Sequence, residues 1–397
     1  MEQVSEPTPP RLAAVDAIWG APPASHPGPE QRVAELTEGL YALLTEAVDN
    51  PRQWQRLLDA SATLWRYSGG NAALLMMQMA KRGPVSPTLV AGYREWERHG
   101  RYVLKGEHAL YVIAPRTVRI ASADDHGKTP DAQESELAEP GDGVNRSRIV
   151  GWRGQAVFDV SQTEGVPLLV PVPGGQEGVA PGSQDREKLW ESLTAVARQA
   201  KYNVVLSDAQ MGLADGFTDH SRRLISVGSW LEPDDRVATL AHELAHASLH
   251  VPGDAIGALY GSSSEHRGLA EIEAESVAYV VLRAHGIDRG ARSAAYLAGW
   301  ADAVIAAEAD SILRCTRERK PMSRLVIAKS VLGRVTSVAK TILEATNPPG
   351  FGGRLGVAGP GTIRDLPNQA PSLRDGWARP QTSVNMPTPP FIGLRSL

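Results

Sequence analysis

The sequence predicts an α+β fold in which two mainly helical regions each carry a small sheet. Apolar residues recur at helical spacing from Pro29 to Gly83, and this period gives way to the alternation of strands after about residue 100. Long helical patterns return after about residue 185. Helices and strands that occur in separate runs are typical of α+β proteins. We therefore expect N-terminal helices plus a small antiparallel sheet, followed by a mainly helical C-terminal part with its own small sheet.

The N-terminal elements are predicted from apolar stripes and from residues that start or stop helices. Leucines of the stretch after Pro29 fall on one helical stripe, a second helix begins at Pro51, and a third ends at Gly83. Proline is favoured in the first turn of a helix, where its missing N–H has no partner to lose. The stretches "HALYVIAP" and "IVGWRGQAVFDVSQT" then alternate as strands do.

The C-terminal elements begin with a helix in "REKLWESLTAVARQA", followed by short strands in "YNVVLSD" and "RRLISVG". Helices are predicted over 234–250, roughly 266–286, roughly 291–314 and in "RLVIAKSVLGRVTSVAKTIL". Composition marks the boundaries between parts. The predicted division is a disordered tail (1–29), a first domain (30–165) with an acidic loop insertion (121–147), a linker (166–184), a second domain (185–345) and a Gly/Pro-rich disordered tail (346–397).

Composition also limits the class of protein. No run of eighteen apolar residues predicts a membrane span, and the acidic N-terminus lacks the apolar segment of a signal peptide. One cysteine, Cys315, excludes an internal disulfide framework and a cysteine zinc cluster. Without a G-x-x-x-x-G-K-[ST] loop, we expect no nucleotide cofactor. A cytoplasmic protein with no membrane partner is predicted.

The stretch "LAHELAHASLH" raises the question of a metal site. His242 and His246 are four residues apart and share one face of a helix. Two imidazoles at that spacing can bind one zinc ion, and Glu243 is placed to reach a water molecule at the ion and to act as general base. The alternative is a pair of ordinary surface histidines on an amphipathic helix.

A third ligand is needed, and His250 does not supply it. It lies eight residues beyond His242, about 12 Å along a straight helix. We expect it instead at the helix end, where carbonyl dipoles favour its protonated form. The next helix offers Glu271 and Glu275 on one face, while Glu273 points away.

We rank Glu271 first as the metal ligand, with Glu275 and then Glu273 behind it. Glu275 is the candidate to hold a ligand histidine by its other nitrogen. An acidic, solvent-facing helix start is the alternative interpretation of these glutamates. Two His and one Glu leave one position of a zinc ion open, which is typical of a catalytic site. The group that stabilises the oxyanion is not evident, although Tyr279 and His266 are candidates.

The stretches "LAHELAHASLH" and "EIEAESVAY" resemble the zincin-type metallopeptidases related to ImmA and IrrE. The resemblance spans about residues 185–310. It implies His242, His246 and Glu271 as zinc ligands and Glu243 as the catalytic residue. We therefore expect Zn²⁺ as cofactor and a protein or peptide as substrate.

The first half carries a basic segment although the net charge of the chain is −4. Eleven basic and four acidic residues between Pro51 and Ile120 give a local charge of +7, and seven Trp and Tyr residues are interleaved with them. Cationic grooves lined with aromatic rings suit single-stranded nucleic acid, because the charges track phosphates and the rings stack on bases. A solvated charged face with buried aromatics is the alternative.

The stretches "YSGGNAALLMMQ", "LVAGYREWERHGRYVLKGEHALYVIAP" and "AVFDVSQTEG" resemble the N-terminal single-stranded-DNA-binding domain of ArdC-type antirestriction proteins, which TraC-type primases share. The acidic insertion departs from that pattern. The resemblance implies non-sequence-specific binding of single-stranded DNA in proteins of plasmids and other mobile elements. Our candidates for the DNA-binding face are Tyr67, Asn71, Gln78, Arg94, Trp96, Arg101 and Lys105.

Three hypotheses follow for the whole chain. The first is a single-stranded-DNA-binding antirestriction-type protein that carries a zinc metallopeptidase-like domain. The second is a regulatory zinc protease that cleaves a repressor or another DNA-bound protein. The third is a DNA-binding protein whose metal site is structural or has lost its activity. We prefer the first, since a purely structural site has no need of the general base Glu243.

Overall fold

We describe the protein from a computed structural model, in which residues 28–83, 86–119, 147–167, 183–208, 214–252, 264–288 and 323–346 are placed well enough to describe. The two predicted tails, most of the linker, the acidic insertion up to residue 146 and the helix predicted near 291–314 lie outside these ranges. Among the described residues, no helix combines the length and hydrophobicity that a membrane span requires.

The described residues form eight helices, eight strands and one short 3₁₀ turn, and the α+β class is confirmed. The helices are α1 (Pro29–Asp49), α2 (Pro51–Thr63), α3 (Gly69–Ala80), α4 (Tyr93–Arg98), α5 (Ser183–Gln199), α6 (Pro233–Leu249), α7 (Ser264–Ala284) and α8 (Arg324–Thr346). The strands are β1 (Val90–Ala91), β2 (Arg101–Val103), β3 (Leu110–Arg119), β4 (Ser147–Asp159), β5 (Thr163–Gly165), β6 (Asn203–Ser207), β7 (Gly216–Asp219) and β8 (Leu224–Gly228).

Local sequence signals fix the starts of the first helices. Pro51 occupies the first turn of α2, and the Asn50 side chain accepts hydrogen bonds from the backbone N–H groups of Arg52 and Gln53. Ser68 caps α3 in the same way by accepting from the N–H of Asn71. Side-chain caps satisfy donors that have no partner inside the helix. Because each cap marks the start of a new helix, this region of the chain forms three separate helices, α1, α2 and α3.

The N-terminal sheet is antiparallel, as predicted, in the order β1–β4–β3. Leu110 pairs with Val157 at one end of the long β3–β4 ribbon, and both are buried against α3. The outer edge of β3 is covered by two side chains of α3. Asn71 bonds both backbone groups of Ile113, and Gln78 bonds both backbone groups of Tyr111. These amides satisfy strand groups that would otherwise be open to pairing.

The C-terminal sheet has the order β6–β8–β7. β6 and β8 run parallel and correspond to the two strands predicted from the sequence, whereas β7 pairs antiparallel with β8 and was not predicted. The stretch Gly216–Asp219 is too short and too polar to show an alternating pattern. This unpredicted strand lies directly against α6.

Helices from both halves of the chain share one hydrophobic cluster, which includes Leu44 of α1, Trp54 of α2, Leu244 of α6, Val277 of α7 and Val335 of α8. The Trp54 side chain is fully buried, and its Nε1–H donates to Ser276 Oγ over 3.3 Å. A buried indole N–H is costly unless it has an acceptor. This contact fixes α2 against α7, the helix that carries the acidic metal-ligand candidates.

Candidate metal centre and DNA-binding surface

The candidate metal centre is built on α6. Pro233 occupies its first turn together with Asp234 and Asp235, whose negative charges suit the positive end of a helix dipole. Apolar residues such as Leu240 and Leu244 bury one side of the helix. His242 and His246 emerge from the neighbouring stripe with ring centroids 4.8 Å apart. The helix therefore presents both imidazoles to the same space, as their spacing predicted.

Helix α7 brings Glu271 to these histidines. Its carboxylate oxygens lie 3.2 Å from His242 Nε2 and 3.5 Å from His246 Nε2, and the two Nε2 atoms are 3.0 Å apart. These three residues are the group in the described part of the chain that could hold a metal ion, with ligand atoms all within 4.8 Å of one another. Three ligand atoms that converge in this way could hold a cation.

The charge balance around the three residues also favours a cation. The pKa of His242 is raised to about 10, because hydrogen bonds to Glu271 and Glu275 more than offset the burial that lowers it. The pKa of Glu271 is lowered, although burial raises it, because the neighbouring His242 and His246 favour its ionised carboxylate. The site therefore stabilises positive charge strongly, which is the electrostatic property that a metal ion needs.

Two further glutamates of α7, Glu275 and Glu273, lie beside histidines of α6. Glu275 Oε2 lies 3.4 Å from His242 Nδ1, on the far side of the ring from Glu271. Glu273 is on another face of α7, as predicted, but that face is buried rather than directed into solvent, and only 1% of the residue is exposed. There Glu273 lies against His250 and Arg334, at 3.1 Å and 2.9 Å respectively.

His250 differs from the sequence-based expectation. It is the C-cap of α6, but its pKa is lowered because burial outweighs the hydrogen bond with Glu273. The expectation of a protonated helix-end residue was wrong because the helix dipole contributes at most about 2 kcal/mol, and the desolvation of a buried charge exceeds it. His250 Nδ1 lies 2.9 Å from Nδ1 of His246.

Glu243 is buried between α6 and β7. The Thr218 hydroxyl donates to Glu243 Oε2 over 2.8 Å and also contacts the Glu243 carbonyl oxygen at 2.9 Å. Gly216 lies so close to α6 that a Cβ atom there would come within 3.2 Å of Glu243 Cγ. Neither Gly216 nor Thr218 was identified from the sequence as part of the site. The only available signal was a Gly and a Thr two residues apart, which is too weak to predict a strand that faces the helix.

Tyr279, one of the two candidates for oxyanion stabilisation, makes its described hydrogen bonds to helix α2. The Tyr279 hydroxyl donates to Asp59 Oδ1 over 2.7 Å and lies 3.3 Å from Gln55 Nε2, so it joins α7 to α2. The side chain of His266 lies outside the described residues. His220, which follows β7, lies 2.7 Å from the hydroxyl of Tyr202 and was not among the candidates.

The DNA-binding candidates fall into two groups. Four side chains face the protein interior. Tyr67 donates to the carbonyl of Val90, the buried Trp96 donates to the carbonyl of Phe158, and Asn71 and Gln78 bond the edge of β3 as described above. In this arrangement their polar atoms stabilise the fold. The burial of Tyr67 raises its pKa.

The other three candidates lie on the outside of the domain. Arg94 and Lys105 are exposed. Arg101 is committed to β5, because its guanidinium donates to Thr163 and to the carbonyl of Val166. Two aromatic side chains that were not among the candidates, Tyr93 and Tyr102, are 49% and 55% exposed in the same segment. Helix α4 and the segment around β2 each carry an exposed tyrosine and an exposed basic residue.

Comparison with known protein families supports both resemblances. Residues 30–158 match the model of the N-terminal domain of the anti-restriction factor ArdC, and residues 198–285 match the model of the IrrE N-terminal-like domain. The family of the second model is metal-dependent. The chain thus joins an ArdC-like N-terminal region to an IrrE-like C-terminal region, as its motifs indicated.

Two solved structures of the antirestriction protein ArdC from plasmid R388 are similar to this chain. The metal-free structure has 15% sequence identity to this chain and a TM-score of 0.37, and the alignment covers 71% of this chain and 85% of the ArdC chain. The Mn(II)-bound structure has 16% sequence identity and a TM-score of 0.37, and the alignment covers 74% of this chain and 96% of the ArdC chain. The comparison with curated proteins gave no match.

Proposed function

We propose that this protein is a cytoplasmic, single-stranded-DNA-binding antirestriction-type protein of a mobile element, and that its IrrE-like domain is a zinc metallopeptidase. The observation that carries the peptidase half is the convergence of His242, His246 and Glu271 beside the buried carboxylate of Glu243. The ArdC-type match over residues 30–158 supports the DNA-binding half.

The donor set fits zinc. The two Nε2 atoms are 3.0 Å apart, and the nearest Glu271 oxygens lie 3.2 Å (Oε2) from His242 Nε2 and 3.5 Å (Oε1) from His246 Nε2. A tetrahedral zinc ion with bonds of about 2.0–2.2 Å sets its ligands about 3.3–3.6 Å apart, which is close to these distances. His242, His246 and Glu271 would hold the ion and leave a fourth position for substrate or water. When bound, zinc supplies Lewis acidity at that position. Manganese is the competing metal, since a relative was solved with Mn(II).

Glu243 is the proposed general base and proton carrier. It follows the ligand His242 directly in sequence, and the Thr218 hydroxyl occupies part of its Oε2 lone-pair capacity at 2.8 Å. This hydrogen bond fixes the carboxylate in one orientation, which a base requires to accept a proton from water and pass it to a leaving amine. The remaining oxygen, Oε1, is the atom we assign to proton transfer.

The peptide substrate is proposed to bind along β7. This strand lies at the outer side of the β6–β8–β7 sheet and pairs with β8 through one edge only among the described residues. An extended peptide can add to such an edge through main-chain hydrogen bonds, largely without regard to its side chains. Because Thr218 of β7 contacts Glu243, a peptide on this strand would pass beside the proposed base.

Two experiments test the metal half. Glu271→Ala should lose bound zinc, measured by equilibrium dialysis, while Glu191→Ala on the exposed face of α5 should keep it. Glu243→Gln should keep zinc but lose hydrolysis of unfolded casein, because the amide cannot accept the proton. Retention of zinc by the Glu271 variant would refute the ligand assignment, and unchanged casein hydrolysis in the Glu243 variant would refute the role of the base.

The DNA-binding half is proposed to use the α4–β2 surface, which we define by the exposed residues Tyr93, Arg94, Tyr102 and Lys105. Stacking of a base on an exposed tyrosine contributes about 1–3 kcal/mol and does not depend on sequence. The two cations are proposed to neutralise phosphates of the bound strand. This surface replaces the buried candidates with residues whose side chains solvent can reach.

A salt titration of single-stranded DNA binding to the full chain tests this surface. Each phosphate contact contributes about 0.7 to the slope of log K against log salt for single strands. Arg94→Ala/Lys105→Ala should therefore reduce the slope by about 1.4, whereas Lys188→Ala/Arg198→Ala on α5 should leave it unchanged. Tyr102→Ala should weaken binding at every salt concentration. If the full chain binds neither single-stranded nor duplex DNA, the antirestriction proposal fails and the regulatory protease becomes the leading hypothesis.

A further inference from the structure

A chain of buried polar contacts connects the metal-ligand candidate His246 to helix α8. His246 Nδ1 lies 2.9 Å from His250 Nδ1, and His250 Nε2 lies 3.1 Å from Glu273 Oε2. The other oxygen of Glu273 accepts from Arg334 Nε over 2.9 Å. Arg334 also donates through Nη2 to the carbonyl of Leu249 over 2.8 Å, at the last residue of α6. Three helices, α6, α7 and α8, therefore meet through these side chains.

The direction of each hydrogen bond can be derived by starting from Arg334, the last residue in this series of contacts. Arg334 can only donate, so Glu273 accepts from it. An ionised carboxylate can only accept, so the proton between Glu273 and His250 resides on His250 Nε2. A neutral imidazole that donates through Nε2 accepts through Nδ1, which requires His246 to donate from its own Nδ1. His246 is left with its lone pair on Nε2, the atom that faces His242 and Glu271.

We propose that His250, Glu273 and Arg334 are positioning residues that fix His246 in the tautomer and orientation required to bind metal through Nε2. The proposal rests on the proposed metal centre and extends it to α8, which lies outside both regions matched by the family models. His246 and its partner ligand are then held in corresponding ways. Glu275 fixes Nδ1 of His242 directly, and Glu273 fixes Nδ1 of His246 through one intervening imidazole.

Burial makes this arrangement energetically costly unless the Glu273 carboxylate has partners. The side chain of Glu273 is 1% exposed and that of His250 is 6% exposed. A carboxylate removed from water costs several kcal/mol unless a charge partner and hydrogen bonds compensate. Arg334 supplies both, because its guanidinium pairs with Glu273 and satisfies a carbonyl at the end of α6. A merely structural interpretation is that this ion pair joins α8 to α7, with no effect on His246.

Glu273→Gln separates the two interpretations. The substituted amide has one oxygen and one NH₂ group, and Arg334 must face the oxygen. The NH₂ group then donates to His250 Nε2, His250 donates from Nδ1, and His246 is driven to carry its proton on Nε2, where the metal should bind. We expect zinc affinity to fall about 10- to 100-fold, the usual effect of losing a partner behind a metal ligand.

The experiment uses the full chain with nitrogen-15-labelled histidine. Two-bond proton–nitrogen correlation spectra report the tautomers, and competition with a chelator reports zinc affinity. The control is Glu344→Gln, an exposed glutamate of α8. His250→Phe is the second variant, because it removes the link to His246 and leaves Glu273 and Arg334 in place. If Glu273→Gln does not fold, the zinc affinity of His250→Phe tests the proposal instead.

Each outcome has a definite meaning. Weaker zinc binding in both variants, with His246 protonated on Nδ1 in the unsubstituted chain, supports the proposal. Zinc binding by the unsubstituted chain that is unchanged in the variants overturns the positioning role and leaves the metal centre standing. An unsubstituted chain that binds no zinc overturns the metal centre and this inference together.

Discussion

The closeness of β7 to helix α6 can be tested at Gly216. A Cβ atom at this position would lie 2.6 Å from Thr239 Cγ2, 2.8 Å from the carbonyl oxygen of Ser226 and 3.2 Å from Glu243 Cγ. The Thr239 methyl group belongs to α6, and the Ser226 oxygen belongs to the backbone of β8. Gly216→Ala therefore forces the strand away from both the helix and its partner strand.

The magnitude follows from these distances. Carbon atoms in contact prefer about 3.5–4.0 Å, so the methyl group needs about 1 Å more room on the side of Thr239. Overpacking of this kind costs typically about 1–3 kcal/mol. Since 1 kcal/mol corresponds to about 2–4 °C in Tm for domains of 150–250 residues, we expect Tm to fall by roughly 2–12 °C.

The assay is thermal unfolding followed by circular dichroism, with zinc affinity and casein hydrolysis measured on the same variant. Gly151→Ala is the control, because a Cβ atom there meets nothing within 4 Å; its Tm should stay within about 2 °C of the unsubstituted chain, as surface substitutions change stability by at most about 0.5 kcal/mol. A Gly216→Ala variant with the Tm and hydrolysis rate of the unsubstituted chain would show that β7 does not lie against α6 as described.

Three further predictions concern single side chains. Thr218→Val should lower stability by about 1–3 kcal/mol, because it removes a hydrogen bond to the buried carboxylate of Glu243, and Thr218→Ser should restore Tm; equal Tm values for Val and Ser would contradict this. Burial lowers the pKa of His285 to about 4, so between about pH 6.5 and 4 the unfolded chain binds the extra proton and stability falls as pH falls. The Tm difference between the unsubstituted chain and His285→Gln should therefore shrink from pH 7.5 to pH 5, and a constant difference would count against the shift. Gly333→Ala, in the interior of α8 with open space around the added Cβ, should raise stability by about 0.5–1 kcal/mol in urea unfolding, and a lower urea midpoint would indicate that α8 is packed differently.

For the candidate metal centre, residue spacing alone predicts only part of the arrangement. The positions of His242, Glu243 and His246 follow from helical geometry, because four residues make about one turn whatever surrounds the helix. The choice of Glu271 over its neighbours depended on which face of α7 meets α6. That choice could be ranked but not decided from the sequence, since the angle between two helices is set by the side chains packed between them.

The DNA-binding candidates show the opposite case. Tyr67, Asn71, Gln78 and Trp96 belong to residue types that suit nucleic acid, and their side chains contact the protein interior instead. Nothing in a local pattern distinguishes an amide that bonds a base from one that bonds a strand edge. Exposure decides this, and exposure depends on contacts between residues far apart in the chain, such as Asn71 with Ile113.

The sequence by itself determined the α+β class, the antiparallel N-terminal sheet, both domain resemblances and the position of His242 and His246 on one face of a helix, because periodicity, capping residues and short motifs are local properties of the chain. The tertiary structure decided the rest. It brought β7 to Glu243, buried Glu273 against Arg334, and joined α2 to α7 through Trp54 and Ser276. The last of these contacts unites residues 222 positions apart, and such contacts form only when helices and strands pack closely enough to exclude water.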